Sequence, residues 1–162
     1  MSVTIAQVNT MPRAEFIAEF GGIFEHSPWI AERAWESRPF STWEALHAAL
    51  TAVMESATAE EQLALLCAHP ELGARGLMSE LSAAEQAGVF HSGMPERRGF
   101  RRYREKFGFP FIFAVKGSSP SDIAFALQIR LDETREAEFQ QALREVRRIA
   151  WFRLQDKFKE GG

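Results

Sequence analysis

The chain has 162 residues, 46% of them hydrophobic and 25% charged, with a formal net charge of −3 and one cysteine. These values are typical of one globular domain, argue against general affinity for nucleic acid, and exclude an internal disulfide. No apolar run approaches the ~20 residues of a transmembrane helix, and the first residues lack a signal-peptide pattern. We therefore expect a cytoplasmic protein with no membrane partner.

The first two predicted elements are helices. The stretch MPRAEFIAEFGGIF places apolar residues at spacings of one, three and four, and it breaks at Gly21 and Gly22. In SPWIAERAWESRPF, Ser27 is the expected capping residue, Pro28 suits the first helical turn, and Pro39 ends the helix.

Two more helices are expected to begin with a pair of residues that cap each other's backbone N–H groups. Ser41 stands three residues before Glu44, and Thr58 stands three residues before Glu61. The second of these helices must end near His69, because a residue that precedes proline is disfavoured in the helical conformation.

The second half of the chain is also predicted to be mainly helical. Its first part is rich in glycine and polar residues, which indicates loops around a short helix that starts near Ser82. A basic helix then leads into residues 109–115, which we expect to be extended or irregular and buried. The stretch SPSDIAFALQIRL predicts a helix that is apolar on nearly all sides and therefore central, and TREAEFQQALREVRRIAWFRLQDKF predicts a long amphipathic helix. Residues 1–162 are thus predicted to form one all-α, multi-helix domain.

Cys67 and His69 are the first candidates for chemistry. A reactive thiolate needs a nearby cation or a helix N-terminus, and Cys67 stands at the opposite end of its helix, so we expect it to pack in the core. One cysteine and four scattered histidines show no zinc-binding spacing, so no metal is expected. His69 stands at a helix C-terminus, whose carbonyls favour a cationic ring, and Pro70 fixes the exit of the chain. Either a general acid–base role or a simple helix-end cation fits this pattern.

Three further residues have both a structural and a functional interpretation. Glu85 follows Ser82 by three residues, which is again a capping pair, so its local pattern favours a structural role. Arg153 continues an apolar stripe on the last helix, so it either extends to solvent at the helix end or is kept for an anion. Arg130 has the same two interpretations, solvent exposure or anion binding, near the end of the preceding helix.

The basic residues within residues 97–106 alternate with aromatic ones, a pattern also found in proteins that bind single-stranded nucleic acid. Glu96 precedes this run, Glu105 interrupts it, and the whole chain is acidic. A solvated helix face is therefore the favoured interpretation, and we expect no nucleic-acid partner.

Several motifs taken in order resemble one family. AHPELGAR, SAAEQAG, YREKFGFPFIFAVKG and REVRRIAWFRL, together with FGGIFEHSPWIAERAW, are similar to motifs of the 2-oxo-4-hydroxy-4-carboxy-5-ureidoimidazoline (OHCU) decarboxylases. The resemblance covers residues 16–154. It implies an all-α bundle of that type, usually a homodimer, that needs no cofactor and converts the small molecule OHCU into (S)-allantoin during urate degradation.

The resemblance also implies roles for individual residues. His69 and Glu85 match the catalytic pair, and which of the two transfers the proton is left open. The residues that it assigns to substrate binding are Pro70, Ser82, Glu85, Phe111, Ile112 and Arg153, with Arg130 as the alternative to Arg153. A non-catalytic helical module that binds a protein partner through exposed aromatic residues is the competing hypothesis.

Overall fold

The structure, a computed structural model, describes residues 3–70 and 97–159. Within these residues all regular secondary structure is helical and no β-strand occurs. This confirms the all-α prediction. The short helix expected near Ser82 lies outside the described residues.

Eight α-helices are described, and all predicted helices that fall in these residues are present. In chain order they are α1 (Ile5–Thr10), α2 (Arg13–Phe20), α3 (Trp29–Ala34), α4 (Trp43–Ser56), α5 (Ala59–Ala68), α6 (Arg97–Phe107), α7 (Pro120–Leu131) and α8 (Arg135–Lys159). A short 3-10 helix, Trp35–Ser37, follows α3 directly. The sequence patterns did not predict α1, which begins where the side chains of Thr4 and Gln7 accept hydrogen bonds from each other's backbone N–H groups.

The chain divides into two compact units. One contains the described residues up to Ala68 together with those from Val146 onward, and the other runs from His69 to Glu145. Residues of α8 therefore belong to both units. The expectation of a single domain over residues 1–162 stays a prediction.

In the first unit, aromatic side chains connect α2 to the start of α4. The rings of Phe16 and Phe20 lie 5.0 Å apart, and Phe40 and Trp43 contact them at 6.3 and 6.2 Å. The side chain of Asn9 both donates to and accepts from the backbone of Phe40, at 2.8 and 2.7 Å. These contacts hold α1 and α2 against the segment that enters α4.

Two predicted helix caps differ from those in the structure. The side chain of Thr42, not Ser41, accepts a hydrogen bond from the backbone N–H of Ala45, at 3.0 Å. Ser27 does not cap α3: Pro28 occupies the capping position without a side-chain hydrogen bond, and the Ser27 hydroxyl donates to the carbonyl of Glu25. By contrast, the reciprocal capping pair of Thr58 and Glu61 is confirmed, at 3.1 and 3.2 Å.

The buried face of α5 also differs from the expected one. Gln62, Leu65 and Leu66 are buried, whereas Cys67 is exposed. The prediction that Cys67 packs in the core is therefore wrong. The buried residues of α5 begin at Gln62 and follow spacings of three and four. The same spacing leads to His69, which directly follows the last residue of the helix, and it leaves Cys67 outside the buried face.

The second unit contains α6, residues 109–115 and α7. Residues 109–115 form no regular element and are mostly buried, as predicted. The predicted central position of α7 is wrong: Ile123 and Leu127 are buried, but Phe125 and Ile129 are 66% and 49% exposed. An apolar composition does not bury a helix on all sides when only one side meets other elements.

Candidate active site

His69 is a buried polar residue at the start of the second unit. It follows α5 directly and is only 6% exposed, while Pro70 is exposed. A cation at a helix end that served only to balance the helix dipole would normally lie in solvent. The burial of His69 instead requires specific polar partners, as buried polar groups generally do.

Arg153 lies on α8 and is held by the loop that follows α2. One of its terminal nitrogens donates to the carbonyl of Ile23 at 3.0 Å, and the other lies 3.6 Å from a carboxylate oxygen of Glu25. Its side chain is 33% exposed. Leu143, Val146 and Ala150 of the predicted apolar stripe are all buried, so Arg153 extends a buried stripe as expected.

A surface cavity of about 460 Å³ adjoins Arg153. Glu19, Asp156 and Lys157 also line it, together with smaller side chains and Gly22. Lys157 and Glu19 form an ion pair at 3.2 Å. Arg153 is thus a partly exposed cation at a cavity of mixed charge, where Glu19 and Asp156 stand beside Arg153 and Lys157. A guanidinium in such a position can contact an anion.

Arg130 is engaged on all three guanidinium nitrogens. Nε donates to Glu138 at 2.7 Å, one terminal nitrogen donates to the carbonyl of Ile112 at 2.7 Å, and the other donates to the hydroxyl of Tyr103 at 3.3 Å. The guanidinium also lies over the ring of Phe111, 4.4 Å from its centre. Arg130 is 7% exposed and Glu138 only 2%.

Tyr103 completes this buried cluster as a neutral donor. Its hydroxyl donates to the same carboxylate oxygen of Glu138 that accepts from Arg130. Burial, and then the hydrogen bond to Glu138, raise the pKa of Tyr103 well above its usual 10.0. The phenol therefore keeps its proton throughout the physiological range.

Phe111 and Ile112, predicted to line the substrate pocket, are both almost fully buried, at 1% and 3% exposure. Two residues further on, the backbone N–H of Ala114 donates to Glu145 at 2.9 Å. The other oxygen of Glu145 accepts from the side chain of Gln141. Two carboxylates of α8 that belong to the second unit thus make buried contacts within it: Glu138 accepts from Arg130 and Tyr103, and Glu145 accepts from Ala114.

The remaining predicted site residues, Ser82 and Glu85, lie outside the described residues. Among residues 3–70 and 97–159, no three His, Cys, Asp or Glu side chains form a group that could hold a metal ion. In the same part of the chain, no helix is both long and apolar enough to cross a membrane.

Sequence patterns did not identify three glutamates that contact candidate site residues or their neighbours. Glu25 lies near Arg153, Glu138 pairs with Arg130, and Glu145 accepts from the backbone of Ala114. A signal for two of them exists, because Glu138 and Glu145 are seven residues apart and next to the apolar stripe of α8. Two acidic residues at that spacing beside a buried face indicate buried partners. Glu25 lies in a loop and offers no comparable pattern.

The described residues thus show an all-α protein with a buried histidine directly after α5 and an arginine that lines a surface cavity. Residues 9–155 match the family model described as OHCU decarboxylase. The chain belongs to the OHCU decarboxylase family.

Curated relatives from archaea and bacteria support this assignment. The chain is 45% identical to a 2-oxo-4-hydroxy-4-carboxy-5-ureidoimidazoline decarboxylase of Haloferax volcanii, with 96% of each chain covered. It is also 45% identical to the uric acid degradation bifunctional protein PucL of Bacillus subtilis, with 98% of this chain covered. It spans only 33% of that longer protein.

Solved structures show the same fold. A crystal structure of (S)-allantoin synthase matches with a TM-score of 0.76 and 34% identity, covering 96% of this chain and 54% of that one. An OHCU decarboxylase crystallised in the presence of (S)-allantoin matches with a TM-score of 0.59 over 81% of this chain. At 22% identity, the second match supports the fold alone.

Proposed function

We propose that this protein is a carboxy-lyase that decarboxylates OHCU to (S)-allantoin in the degradation of urate. The observation that carries the proposal is the 45% identity, over 96% of both chains, to an OHCU decarboxylase. The match to one third of a bifunctional relative concerns only the corresponding part of that protein. No activity of its remaining two thirds is proposed for this chain.

The chemistry of this substrate explains what the protein must supply. The bond from ring carbon 4 to the carboxylate breaks, CO2 leaves, and the electron pair forms a double bond to carbon 5. The former C=N pair moves to nitrogen, which takes a proton. The resulting enol becomes a ketone when carbon 5 takes a proton and the hydroxyl on carbon 4 loses its own, and the face of carbon 5 that is protonated decides between (S)- and (R)-allantoin. The substrate thus accepts its own electrons, so we propose that no cofactor serves as the sink.

Arg153 is proposed to bind the anionic or polar heteroatoms of the substrate. Its place at a surface cavity, with one nitrogen oriented by the Ile23 carbonyl, supports this role. A guanidinium binds a carboxylate in a planar, two-point geometry. Arg130 is the weaker candidate, because each of its guanidinium nitrogens already has a protein partner.

His69 and Glu85 are proposed as the catalytic pair. His69 would hold the hydroxyl or carboxylate end of the substrate and relay the proton, a role that its burial next to a helix end supports. Glu85 would bind the ureido N–H groups or set the charge of His69, and Ser82 would assist in binding. The assignments of Glu85 and Ser82 rest on the family resemblance.

The assembly state and location are part of the proposal. The resemblance implies a homodimer, and a single cysteine suits the reducing cytoplasm. Sedimentation velocity of the purified protein would measure its mass against the 18.3 kDa of one chain. A monomer at all concentrations would contradict the homodimer.

The experiment that tests the activity follows circular dichroism during urate oxidation. Urate oxidase and the hydrolase that follows it generate the unstable substrate, and the protein is either added or omitted. Rapid appearance of the (S)-allantoin signal only in its presence supports the proposal. Slow formation of racemic product in both samples would overturn it, because OHCU also decays spontaneously.

The competing binding-module hypothesis predicts an exposed aromatic patch. Among the described residues, the exposed large apolar side chains are Phe125 and Ile129, which form one pair on α7. The aromatic residues of α6 and residues 109–115 are mostly buried. The decarboxylase is therefore the better-supported function.

A further inference from the structure

We propose that Arg130 is a positioning residue that, together with Glu138 and Tyr103, fixes the backbone of the substrate-binding residues Phe111 and Ile112. Glu145 supports the same stretch from Ala114. The proposal rests on the proposed function for the role of residues 109–115 in substrate binding. The anchoring of residues 109–115 by these side chains does not depend on the proposed function.

Residues 109–115 need anchors because they are buried without regular secondary structure. A buried backbone carbonyl or N–H group that lacks a partner costs about as much as a lost hydrogen bond, and here no helix or sheet supplies one. The carbonyl of Ile112 receives Arg130 at 2.7 Å, and the N–H of Ala114 donates to Glu145 at 2.9 Å. Charged side chains thus take the place of a regular hydrogen-bonding pattern.

The geometry requires a guanidinium and not merely a positive charge. Arg130 uses three nitrogens in one plane to reach Glu138, Ile112 and Tyr103 at the same time. Its planar face also lies 4.4 Å from the centre of the Phe111 ring. A lysine ammonium is a compact charge on a flexible stem and cannot reproduce this fork or the stacking.

The cluster is electrostatically balanced inside the protein. The buried charge of Arg130 is compensated by Glu138, and the carboxylate oxygen that accepts from Arg130 also accepts from the neutral Tyr103. Buried ion pairs that are fully hydrogen-bonded are associated in some proteins with a uniquely specified conformation. In this protein, the conformation specified would be that of residues 109–115.

The test compares Arg130→Lys with Arg135→Lys. Arg135 makes a matched control because its Nε also donates to a backbone carbonyl of the second unit, that of Phe107 at 3.2 Å, but from an exposed position. Its guanidinium lies 5.9 Å from the centre of the Phe109 ring, a distant contact whose positive charge a lysine keeps. Two quantities are measured for each variant and for the wild type. They are the amide hydrogen exchange of peptides that cover residues 109–115, and kcat and KM in the coupled assay.

For Arg130→Lys we expect exchange of this stretch to become at least about tenfold faster and KM to rise by about tenfold or more. Exchange elsewhere in the second unit and thermal unfolding should change less. Arg135→Lys should leave both quantities near wild type. A purely structural role would lower the unfolding temperature and leave the KM of the folded protein unchanged.

Unchanged exchange of residues 109–115 in folded Arg130→Lys would overturn the anchoring. Faster exchange with an unchanged KM would overturn the positioning role. If Arg130→Lys does not fold, Glu145→Ala replaces it, and Glu145→Gln, which keeps an acceptor for Ala114, should restore slow exchange. If the wild type itself shows no turnover, the proposed function fails, while the exchange comparison still decides the anchoring.

Discussion

Arg153 and Ile23 are 130 residues apart in the chain, yet the guanidinium donates to the Ile23 carbonyl at 3.0 Å. The neighbouring carboxylate of Glu25 is 3.6 Å away, beyond hydrogen-bond distance, so it acts on the guanidinium mainly through its charge. A fixed carbonyl thus sets the direction of the arginine, and part of its hydrogen-bonding capacity is left for a ligand.

We predict that Arg153→Ala lowers kcat/KM by about 10²-fold or more, since it would remove the proposed charge-assisted, two-point contact with the substrate. Arg153→Lys should recover only part of the loss, because lysine cannot bind a carboxylate in the same planar manner. Both are measured in the coupled dichroism assay. Arg13→Ala is the control, because Arg13 forms an ion pair with Glu32 in which both side chains are about half exposed. Equal losses for Arg13→Ala and Arg153→Ala would contradict the assignment.

We predict that His69→Asn reduces turnover by about 10²- to 10⁴-fold, the range typical of general acid–base catalysis. The same change at His47, whose Nε2 lies 2.9 Å from the carbonyl of Arg147, should leave turnover near wild type. The initial rate and the enantiomeric purity of allantoin are measured together. A near-normal rate for folded His69→Asn would exclude this histidine from the chemistry.

His47 provides a prediction about stability and pH. Burial is the main cause that lowers the pKa of His47 below its usual 6.5, and it outweighs the hydrogen bond to the Arg147 carbonyl. The unfolded chain therefore binds a proton at His47 more readily than the folded one, so this group destabilises the fold as pH falls below about 6.5. The loss stops growing once pH lies below the folded pKa. Urea unfolding between pH 7.5 and 5.0 should show that the free energy of unfolding falls less for His47→Gln than for wild type. An identical dependence of this free energy on pH in both proteins would contradict the prediction.

The start of α4 offers a test of a single hydrogen bond. We predict that Thr42→Ala lowers the free energy of unfolding by about 1 kcal/mol, because the N–H of Ala45 loses its side-chain acceptor. Ser41→Ala is the matched control and should change the stability by less than about 0.5 kcal/mol. Urea titration of both variants measures the difference. The reverse order would show that Ser41 is the cap, as the sequence pattern alone suggests.

The sequence by itself determined the secondary structure of the described residues in most respects. Helical spacing, glycine and proline breaks, and the Thr58 and Glu61 pair are local signals, and local hydrogen bonds and backbone sterics act on them directly. The irregular stretch at residues 109–115 was predictable for the same reason. Ser41 and Thr42 show the limit of such signals. Both residue types suit a helix cap, so the sequence does not tell which of the two neighbours has the backbone conformation of the capping position.

Only the tertiary structure decided which polar residues are buried and which partners they have. Cys67 was expected in the core, but the face of α5 that begins at Gln62 and leads to His69 is buried instead. Arg130 and Arg153 have similar patterns in the sequence, yet one is enclosed by Glu138 and its neighbours and the other lines a cavity. The physical reason is that these partners lie on other elements of the chain, from 8 residues away for Arg130 and Glu138 to 130 residues away for Arg153 and Ile23. The burial of a polar side chain and the identity of its partner depend on how the helices pack together, and a local sequence pattern does not determine that packing.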